Sequence, residues 1–600
     1  MNGIAIVVVH ISKVEVERFR GMRKVGVSLR NPLQVVAGPN NAGKTTLLMA
    51  LESFFRGGTE CDAAECAPRN QYYRDESGRA LIKVRLHFSG LTAEEQERFS
   101  DAYLPRNRNF WCERRVSRTG AVSYVASKNA TGVFERLSDI YEVIHVPAVR
   151  IGHGGLLESE SRRLTAAVSE VLVRTRPGPR TNLQKRFEEA LNGVDEIVRE
   201  VMEESRDAVT TLVPPGAKLQ FGLQGHQTVL ENLLSDLRIT TDLDSQILLA
   251  DEGTGFQSLL SMGLLKYATA QLATTRKRLL VLVEEPEAYL HPQHQRSVAA
   301  HLQELSRSAQ LVVTSHSPTI MDSVRIDQVA RLPQSSDGLQ CTWDPPDLDN
   351  KTVGQLGRFC NAQNSELIFA DRLVFCEGLT DVGVVRSIIG HLAGAKALTL
   401  NVAVVDMGSR DTAHHFARLA QMFQLPYLIV LDKDCYSGAS RDVLKNLAKA
   451  GDTQLSNADY RVLDGAKETQ CTSRKEAIDV QKAANRVLVK LKVHSLASDM
   501  EGCISTSIPK DGILPALGPM KLAHLSGESV DELRALGDAQ YVSRLLGLVG
   551  SKGWNAASAP SGNKPKPHVL QEVASQLLSS RTNGSDLDTL VRRVKQHLGL

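Results

Sequence analysis

The stretch Gly38-Pro39-Asn40-Asn41-Ala42-Gly43-Lys44-Thr45-Thr46 follows a largely apolar run, Leu33 to Ala37, and leads into Leu47, Leu48 and Met49. Strand, glycine-bearing loop and helix in that order make a phosphate-binding loop. Backbone N–H groups wrap the β-phosphate, Lys44 neutralises the β and γ phosphates, and Thr45 offers its hydroxyl to Mg²⁺. The helix N-terminus adds partial positive charge to the same anion site. Gly38, Asn40, Asn41, Gly43, Lys44, Thr45 and Thr46 are therefore expected to hold a nucleoside triphosphate.

Further along, Leu279 to Val283 is an apolar run that suits a strand buried on both faces of a parallel sheet, and it ends in Glu284 and Glu285. Sites in open α/β sheets lie at the carboxyl ends of the strands. Glu284 is expected to hold the Mg²⁺ through water, and Glu285 to polarise the attacking water. A third apolar strand, Gln310 to Thr314, ends in Ser315-His316-Ser317-Pro318 and brings His316 to the same edge, where it can sense the γ-phosphate. Before both, Asp251-Glu252-Gly253-Thr254-Gly255-Phe256-Gln257-Ser258 opens an apolar helix, so Gly253 and Gly255 can set N–H groups against a phosphate.

Around these lie β patterns: Val14 to Val16 before a turn at Phe19 to Gly21, strict alternation in Ala80 to Phe88, Ala121 to Ala126, and Tyr141 to Val146 ahead of Pro147. Leu164 to about Leu212 is helical and charged, broken at Arg176 to Arg180. Two helices there make either a dimerisation arm or a solvated insertion.

Six hundred residues exceed one core, and 71 basic against 68 acidic residues leave a charge of +3, so any nucleic-acid surface must be a local patch. Nine cysteines, an odd count with no CxxC pair, exclude a disulfide framework and a zinc ribbon and fit a reducing cytoplasm. The apolar run Ile4 to Val9 is too short to span a membrane and lacks signal-peptide flanks, so it reads as a buried first strand of a cytoplasmic protein.

Residues 333–363 show no strong periodicity and read as a linker, set at 346–365 between the two main domains. Beyond it, Arg372 to Cys376 is a strand ending in Glu377-Gly378, with Thr380-Asp381 opening a helix from Val384 to Leu392. Leu398 to Val405, a helix from Thr412 to Phe423, and the strand Tyr427 to Leu431 ending in Asp432-Lys433-Asp434 continue the alternation of a small parallel sheet. Glu377, Asp432 and Asp434 fall at one carboxyl edge, and oxygen donors without a histidine or thiolate cage suit Mg²⁺ or Mn²⁺. Later come a short strand, Leu491 to Leu496, then Asp499-Met500-Glu501, and Lys564 and Lys566 ahead of a helix, Val569 to Leu578.

The first set of motifs resembles the ABC-type ATPase head of the SMC and break-repair class. Gly38 to Thr46 matches Walker A, Gly253 to Ser258 the signature, Val281 to Glu285 Walker B, Ala288 to His291 the D-loop and His316 the switch histidine. The resemblance implies ATP sandwiched between two subunits, hence at least a dimer. Glu284 stands where an aspartate is usual and no Q-loop glutamine is evident, which implies slow hydrolysis with nucleotide occupancy as the signal. The second set, Glu-Gly at a strand end followed by Asp-x-Asp, resembles the TOPRIM fold of topoisomerases, primases and certain nucleases. The two in this order resemble the OLD (overcoming lysogenisation defect) family of nucleases, including Gabija-type nuclease subunits, over essentially the whole chain.

That resemblance implies an α/β chain: an ABC/SMC-like ATPase domain at 1–345 with a helical insertion at about 155–240, a TOPRIM domain at 366–510, and a helical region at 511–600 that completes the nuclease site. It implies two metal ions on Glu377, Asp381, Asp432, Asp434 and the later Asp499 or Glu501, with a C-terminal lysine, Lys566 preferred over Lys564, contributing to catalysis. Asp432 would anchor the ions with Glu377 and Asp434, and Asp381 and Glu501 would build the second site. The implied activity is nucleotide-regulated, metal-dependent cleavage or nicking of DNA, with two ions about 4 Å apart, in phage defence or DNA processing, with a helicase or other defence protein as a possible partner. The rival is an SMC-like clamp that binds DNA without cutting. A topoisomerase needs a placed nucleophilic tyrosine, which no motif supplies. The basic C-terminal residues Lys552, Lys564, Lys566, His568, Arg592, Arg593 and Lys595 favour salt-sensitive phosphate contacts.

Overall fold

The computed structural model describes residues 11–57, 81–117, 119–146, 240–241, 247–248, 277–335, 337–345, 348–360, 364–394, 400–436, 441–469, 471, 474–507, 578 and 581–600. The expected first strand at Ile4 to Val9, nearly all of the helical insertion and the helix expected at 569–578, Leu578 excepted, lie outside them. The chain divides into two compact units, Met1–Asp344 and Pro345–Leu600.

In the first unit, β1 (Ile11–Phe19) and β2 (Met22–Ser28) form a hairpin, and β3 (Leu33–Ala37) departs to a different sheet. β4 (Ile82–Ser89), β5 (Asn109–Val116) and β6 (Val122–Ala126) extend the hairpin as antiparallel neighbours. The strands of the second sheet are β7 (Tyr141–Val146), β10 (Arg278–Glu284), β11 (Gln310–Thr314) and β12 (Val329–Arg331), and a two-residue pair, β8 (Thr240–Thr241) with β9 (Ile247–Leu248), stands apart. That second sheet is wholly parallel, in the order β12-β3-β11-β10-β7. β13 (Leu339–Trp343) returns to the first sheet, parallel to β2, giving the order β13-β2-β1-β4-β5-β6.

The two sheets differ in sequence because they differ in burial. β4 alternates: Ile82, Val84, Leu86 and Phe88 are buried, while Lys83, Arg85 and His87 face outward. β10 is buried from Leu279 through Glu284, since a parallel sheet has both faces covered. The helix Lys44–Phe55 joins them. Its Leu47, Leu48, Leu51 and Phe54 share one core with Val16 and Leu86 of the first sheet and Leu280 and Val312 of the second. Each such side chain contributes about 1.5–3 kcal/mol when fully buried. The sheets are also joined by one buried amide: Gln310 Nε2 donates to the Ile11 carbonyl at 2.7 Å and its Oε1 accepts the Ile11 N–H at 3.1 Å.

The stretch read as a linker is more ordered than its pattern suggests. It holds β13 and, at Asn350–Phe359, a helix whose N-terminus is capped by Asp349 accepting the Thr352 N–H at 2.8 Å. Val353 and Leu356 bury one stripe. Two glycines, Gly354 and Gly357, dilute the apolar period within a segment of three turns, which is why it escapes a reading by pattern.

The second unit is built on a parallel sheet of β14 (Arg372–Cys376), β15 (Val402–Asp406), β16 (Tyr427–Leu431) and β17 (Val493–Ser495), ordered β15-β14-β16-β17. Helices at Leu379–Ala393 and Ala413–Met422 connect the first three strands. A helix at Asp586–Leu598 closes this core with Leu587, Leu590, Val591 and Val594, packed with Val374, Val384 and Val430. Arg372 donates to the His597 carbonyl at 2.8 Å, and the His597 ring donates to the Leu373 carbonyl at 3.0 Å. Among the described residues, no helix is long and apolar enough to cross a membrane, and all seven cysteines are free thiols.

Candidate functional site

The loop after β3 is shaped by its glycines. Gly38 has φ +148°, and a Cβ there would lie 2.3 Å from the Leu332 carbonyl oxygen, so no other residue fits. Gly43, at φ +89°, turns the chain into the helix that starts at Lys44. Lys44 Nζ donates to the carbonyls of Gly38 at 3.1 Å and Pro39 at 3.0 Å, which folds the ammonium over the loop. Burial pushes the Lys44 ammonium down to about 8, against the opposing pull of Glu285 and Glu287. A cavity of about 900 Å³ opens here, lined by Arg20, Asn40, Lys44, Thr45, Glu285 and His316 among others.

The ends of β10 and β11 meet this loop. His316 stands with Nε2 2.9 Å from Glu285 Oε1 and Nδ1 3.4 Å from Lys44 Nζ. Glu285 adopts φ +41°, a conformation that non-glycine residues hold only when the surroundings enforce it, and its N–H is fixed by the carbonyl and hydroxyl of Thr314. Glu287 follows as a buried carboxylate whose Oε1 accepts from Ser315 Oγ and the His316 N–H, both at 2.7 Å. Burial pushes the Glu287 carboxyl above its usual range despite those donors.

Glu284, 6% exposed, lies between two groups. Its Oε2 faces Thr45 Oγ1 at 3.5 Å, and its Oε1 lies 3.2 Å from His145 Nε2. His145 Nδ1 lies 2.9 Å from Glu52 Oε2, and Glu52 Oε1 takes Arg56 at 2.8 Å. Ionised carboxylates only accept, so a ring bridging two of them carries both protons. Burial alone would lower the His145 pKa, but the hydrogen bonds to Glu284 and Glu52 outweigh it and raise it to about 9. A hydroxyl and a carboxylate of this kind are the hard oxygen donors that a nucleotide-bound Mg²⁺ takes. Gly253 and Gly255 lie outside the described residues.

In the second unit, Glu377 directly follows β14 and Asp432 directly follows β16, adjacent parallel strands, and the Asp432 N–H points to Glu377 Oε2 at 3.4 Å. Asp434 follows in a single 3₁₀ turn, Lys433–Tyr436, and pairs with Arg410 from the loop after β15. Burial raises the Glu377 carboxyl, and Asp434 and Asp411 add to the shift while the Asp432 N–H and Arg410 oppose it. Carboxylates that crowd one edge and draw in a guanidinium are a donor set that suits a hard cation. Even so, no three His, Cys, Asp or Glu side chains among the described residues are drawn together into a ready-made ion cage.

The remaining carboxylates have local duties. Asp381 is buried and accepts the Gly378 N–H at 3.1 Å, closing the first turn of the helix Leu379–Ala393. Asp499 accepts the Gly502 N–H at 2.8 Å and caps the helix Met500–Ser507. Glu501 lies in that helix, its side chain outside the description, and Lys564 and Lys566 lie outside the described residues altogether. The loop that carries Asp499 is tied down by Asp586, 2% exposed, which accepts the Ala497 N–H at 2.8 Å and the Gln481 side-chain amide.

His145, Glu52, Glu287, Arg410 and Asp586 escape the motif reading. Each acts through a partner distant in sequence, and only the fold brings them into place, as the register that sets Leu282 opposite His145 does.

The sequence matches the family described as an AAA ATPase domain over residues 10–106 and 156–321. Residues 368–434 match the overcoming lysogenization defect protein-like TOPRIM domain. The chain is 24% identical over 461 residues to the OLD nuclease of Thermus scotoductus (strain ATCC 700910 / SA-01), covering 71% of this chain and 82% of that protein. It is 20% identical over 470 residues to the Old nuclease of Escherichia phage P2, covering 72% and 78% respectively. Among solved structures, the SMC head bound to the C-winged helix domain of ScpA aligns with 55% of this chain and 96% of that one, at 16% identity and a TM-score of 0.33.

Proposed function

We propose, for a chain that pairs a match to an AAA ATPase domain with a match to an OLD-like TOPRIM domain and is similar to two OLD nucleases, a nucleotide-regulated, divalent-metal-dependent DNA endonuclease or nickase. The observation that carries this reading is the placement of Glu377, Asp432 and Asp434 at the carboxyl ends of two adjacent parallel strands, inside the segment that matches the TOPRIM domain. Divalent ions on these oxygens would supply Lewis acidity and a water ionisable at neutral pH. Asp432 would anchor the ions, with Glu377 and Asp434 completing the first site. Glu377, its carboxyl raised by burial, is suited to take a proton from the attacking water. Asp381, Asp499 and Glu501 are the acidic residues proposed for a second ion, and Lys566 is the lysine proposed to face the scissile phosphate.

In the first unit, ATP occupies the loop around Lys44, with Glu285 orienting the attacking water and His316 sensing the γ-phosphate. Gly253 and Gly255 serve a facing copy, so the active form is a homo-oligomer. A role in phage defence, with a helicase or similar partner, follows the same reading. The test is cleavage of supercoiled plasmid by the wild-type chain and by Asp432→Ala, in Mg²⁺ or Mn²⁺, with and without ATP. Nicking or linearisation by wild type alone is the expected result, and the ATP lanes give the sign of the coupling. Equal cleavage by both proteins, or none by either under any condition, sinks the nuclease reading.

A further inference from the structure

Three elements converge on the end of β10. The helix after the phosphate loop brings Glu52, β7 brings His145 and β10 brings Glu284. Parallel pairing sets Leu282 opposite His145, two residues before Glu284. Residues two apart on a strand share a face, so the ring lies alongside the carboxylate. The contacts are directional: Glu52 Oε2 to Nδ1 at 2.9 Å, Nε2 to Glu284 Oε1 at 3.2 Å, and Glu284 Oε2 toward Thr45 Oγ1 at 3.5 Å. One oxygen of Glu284 is thus held by the ring, and the other is turned toward the hydroxyl that borders the phosphate loop. Arg56, on Glu52 at 2.8 Å, fixes the far end of the relay.

We infer that His145, itself anchored by Glu52, is a positioning residue that fixes the Glu284 carboxylate toward Thr45 and thereby sets the affinity of the nucleotide site for its divalent ion. The inference rests on the ATP-binding reading of the first unit. His145 touches neither Thr45 nor the loop in any described contact, so its effect passes through Glu284. Partners that orient a metal-binding carboxylate from behind typically change metal affinity by about 10–100-fold when removed. The effect should appear in the response to the ion and leave the nucleotide's metal-free grip on the loop intact.

The test is binding of the non-hydrolysable fluorescent nucleotide mant-AMPPNP to the full-length chain, across a Mg²⁺ series and in EDTA. His145→Ala should need about tenfold more Mg²⁺ for half-maximal enhancement, with its affinity in EDTA equal to wild type. His145→Gln retains an N–H for Glu284 and should recover part of the shift, and Glu52→Gln should give a smaller shift in the same direction. A wild-type Mg²⁺ response in His145→Ala overturns the inference, as does an equal loss of affinity with and without Mg²⁺. If His145→Ala does not fold, a wild-type response in both His145→Gln and Glu52→Gln overturns it just as well. Wild-type chain that binds no nucleotide removes the ATP-binding reading itself, an outcome distinct from the others.

Discussion

The two acidic strand ends of this molecule are balanced in opposite ways. At the end of β10, each carboxylate meets its own partner: Glu284 meets His145, Glu285 meets His316, and Glu287 meets Ser315 and the His316 N–H. At the ends of β14 and β16, Glu377 faces one backbone N–H at 3.4 Å while Asp434 and Asp411 repel it, and Arg410 supplies the nearby positive charge. The first edge keeps its geometry through the protein's own hydrogen bonds. The second gathers like charges around one guanidinium, and it is this edge that is proposed above to take a divalent ion. An edge of the first kind would suit the sensing of a ligand, and one of the second kind would suit control by ions.

The largest expected effect tests what holds the second edge. Asp586→Ala leaves the buried Ala497 N–H without its acceptor and takes one of two from the Gln481 amide, which keeps the Ser495 carbonyl, and should cost about 2–4 kcal/mol, read as a lower urea midpoint of the full chain. An unchanged midpoint would mean that the Asp499 loop does not depend on the distant helix. Next, Lys44→Ala should weaken nucleotide binding by about 30-fold, the worth of one charge-assisted contact of about 2 kcal/mol. Plasmid cleavage without ATP should stay at the wild-type rate, and a parallel loss would erase the distinction between the two edges.

Acid and alkali should then separate the units. In the second, burial pushes His494 down to about 3, and burial together with Arg372 pushes His597 down to about 4. The unfolded chain therefore binds more protons below the ordinary histidine value of about 6.5, and their contribution to stability should fall as pH drops from there toward 4. In the first unit, Glu52, although burial opposes it, is held down to about 2 by His145 and Arg56, so its contribution persists until pH falls through the range between about 4.5 and 2. His145, raised to about 9, contributes fully below about 6.5 and loses that contribution as pH rises through 9. Hydrogen exchange followed by mass spectrometry across pH 4–9.5 should show the second unit loosening first in acid. Loosening of the first unit first would contradict the assignment. The smallest effect is a gain: Glu377→Gln removes a disfavoured, partly exposed charge and should raise Tm by about 1–2 °C while abolishing cleavage. A fall in Tm would place Glu377 with the self-balanced carboxylates.

Sequence alone carried the elements whose burial is extreme. β3, β11 and β16 fall at the residues their apolar runs mark, because strands buried on both faces are mostly apolar, and the two buried glutamines among them, Gln34 and Gln310, are hydrogen-bonded to backbone. The loop residues Gly38 to Thr46 and the acids at 284, 285, 377, 432 and 434 were legible because motif chemistry fixes their spacing along the chain. The helix Asn350–Phe359 was not, being short and diluted by glycine, and neither was β5, whose Glu113, Arg114 and Arg115 interrupt the apolar alternation. The contacts of His145 with Glu284 and of Asp586 with Ala497 span 139 and 89 positions, and only strand register in the first case and helix packing in the second reveal them. Asp381 and Asp499, ion ligands by the family resemblance, also make bonds that close helix turns, a use the motif does not reveal.

The bond from Asp586 to the Ala497 N–H also has a meaning in time. During synthesis the Asp499 loop leaves the ribosome long before its clamp, which is made 89 residues after Ala497. A nascent chain can complete β14, β15 and β16 and still lack the helix that steadies the loop beside them. The loop that carries Asp499 is therefore tied down only when translation has passed Asp586, so a chain abandoned partway is born without that clamp.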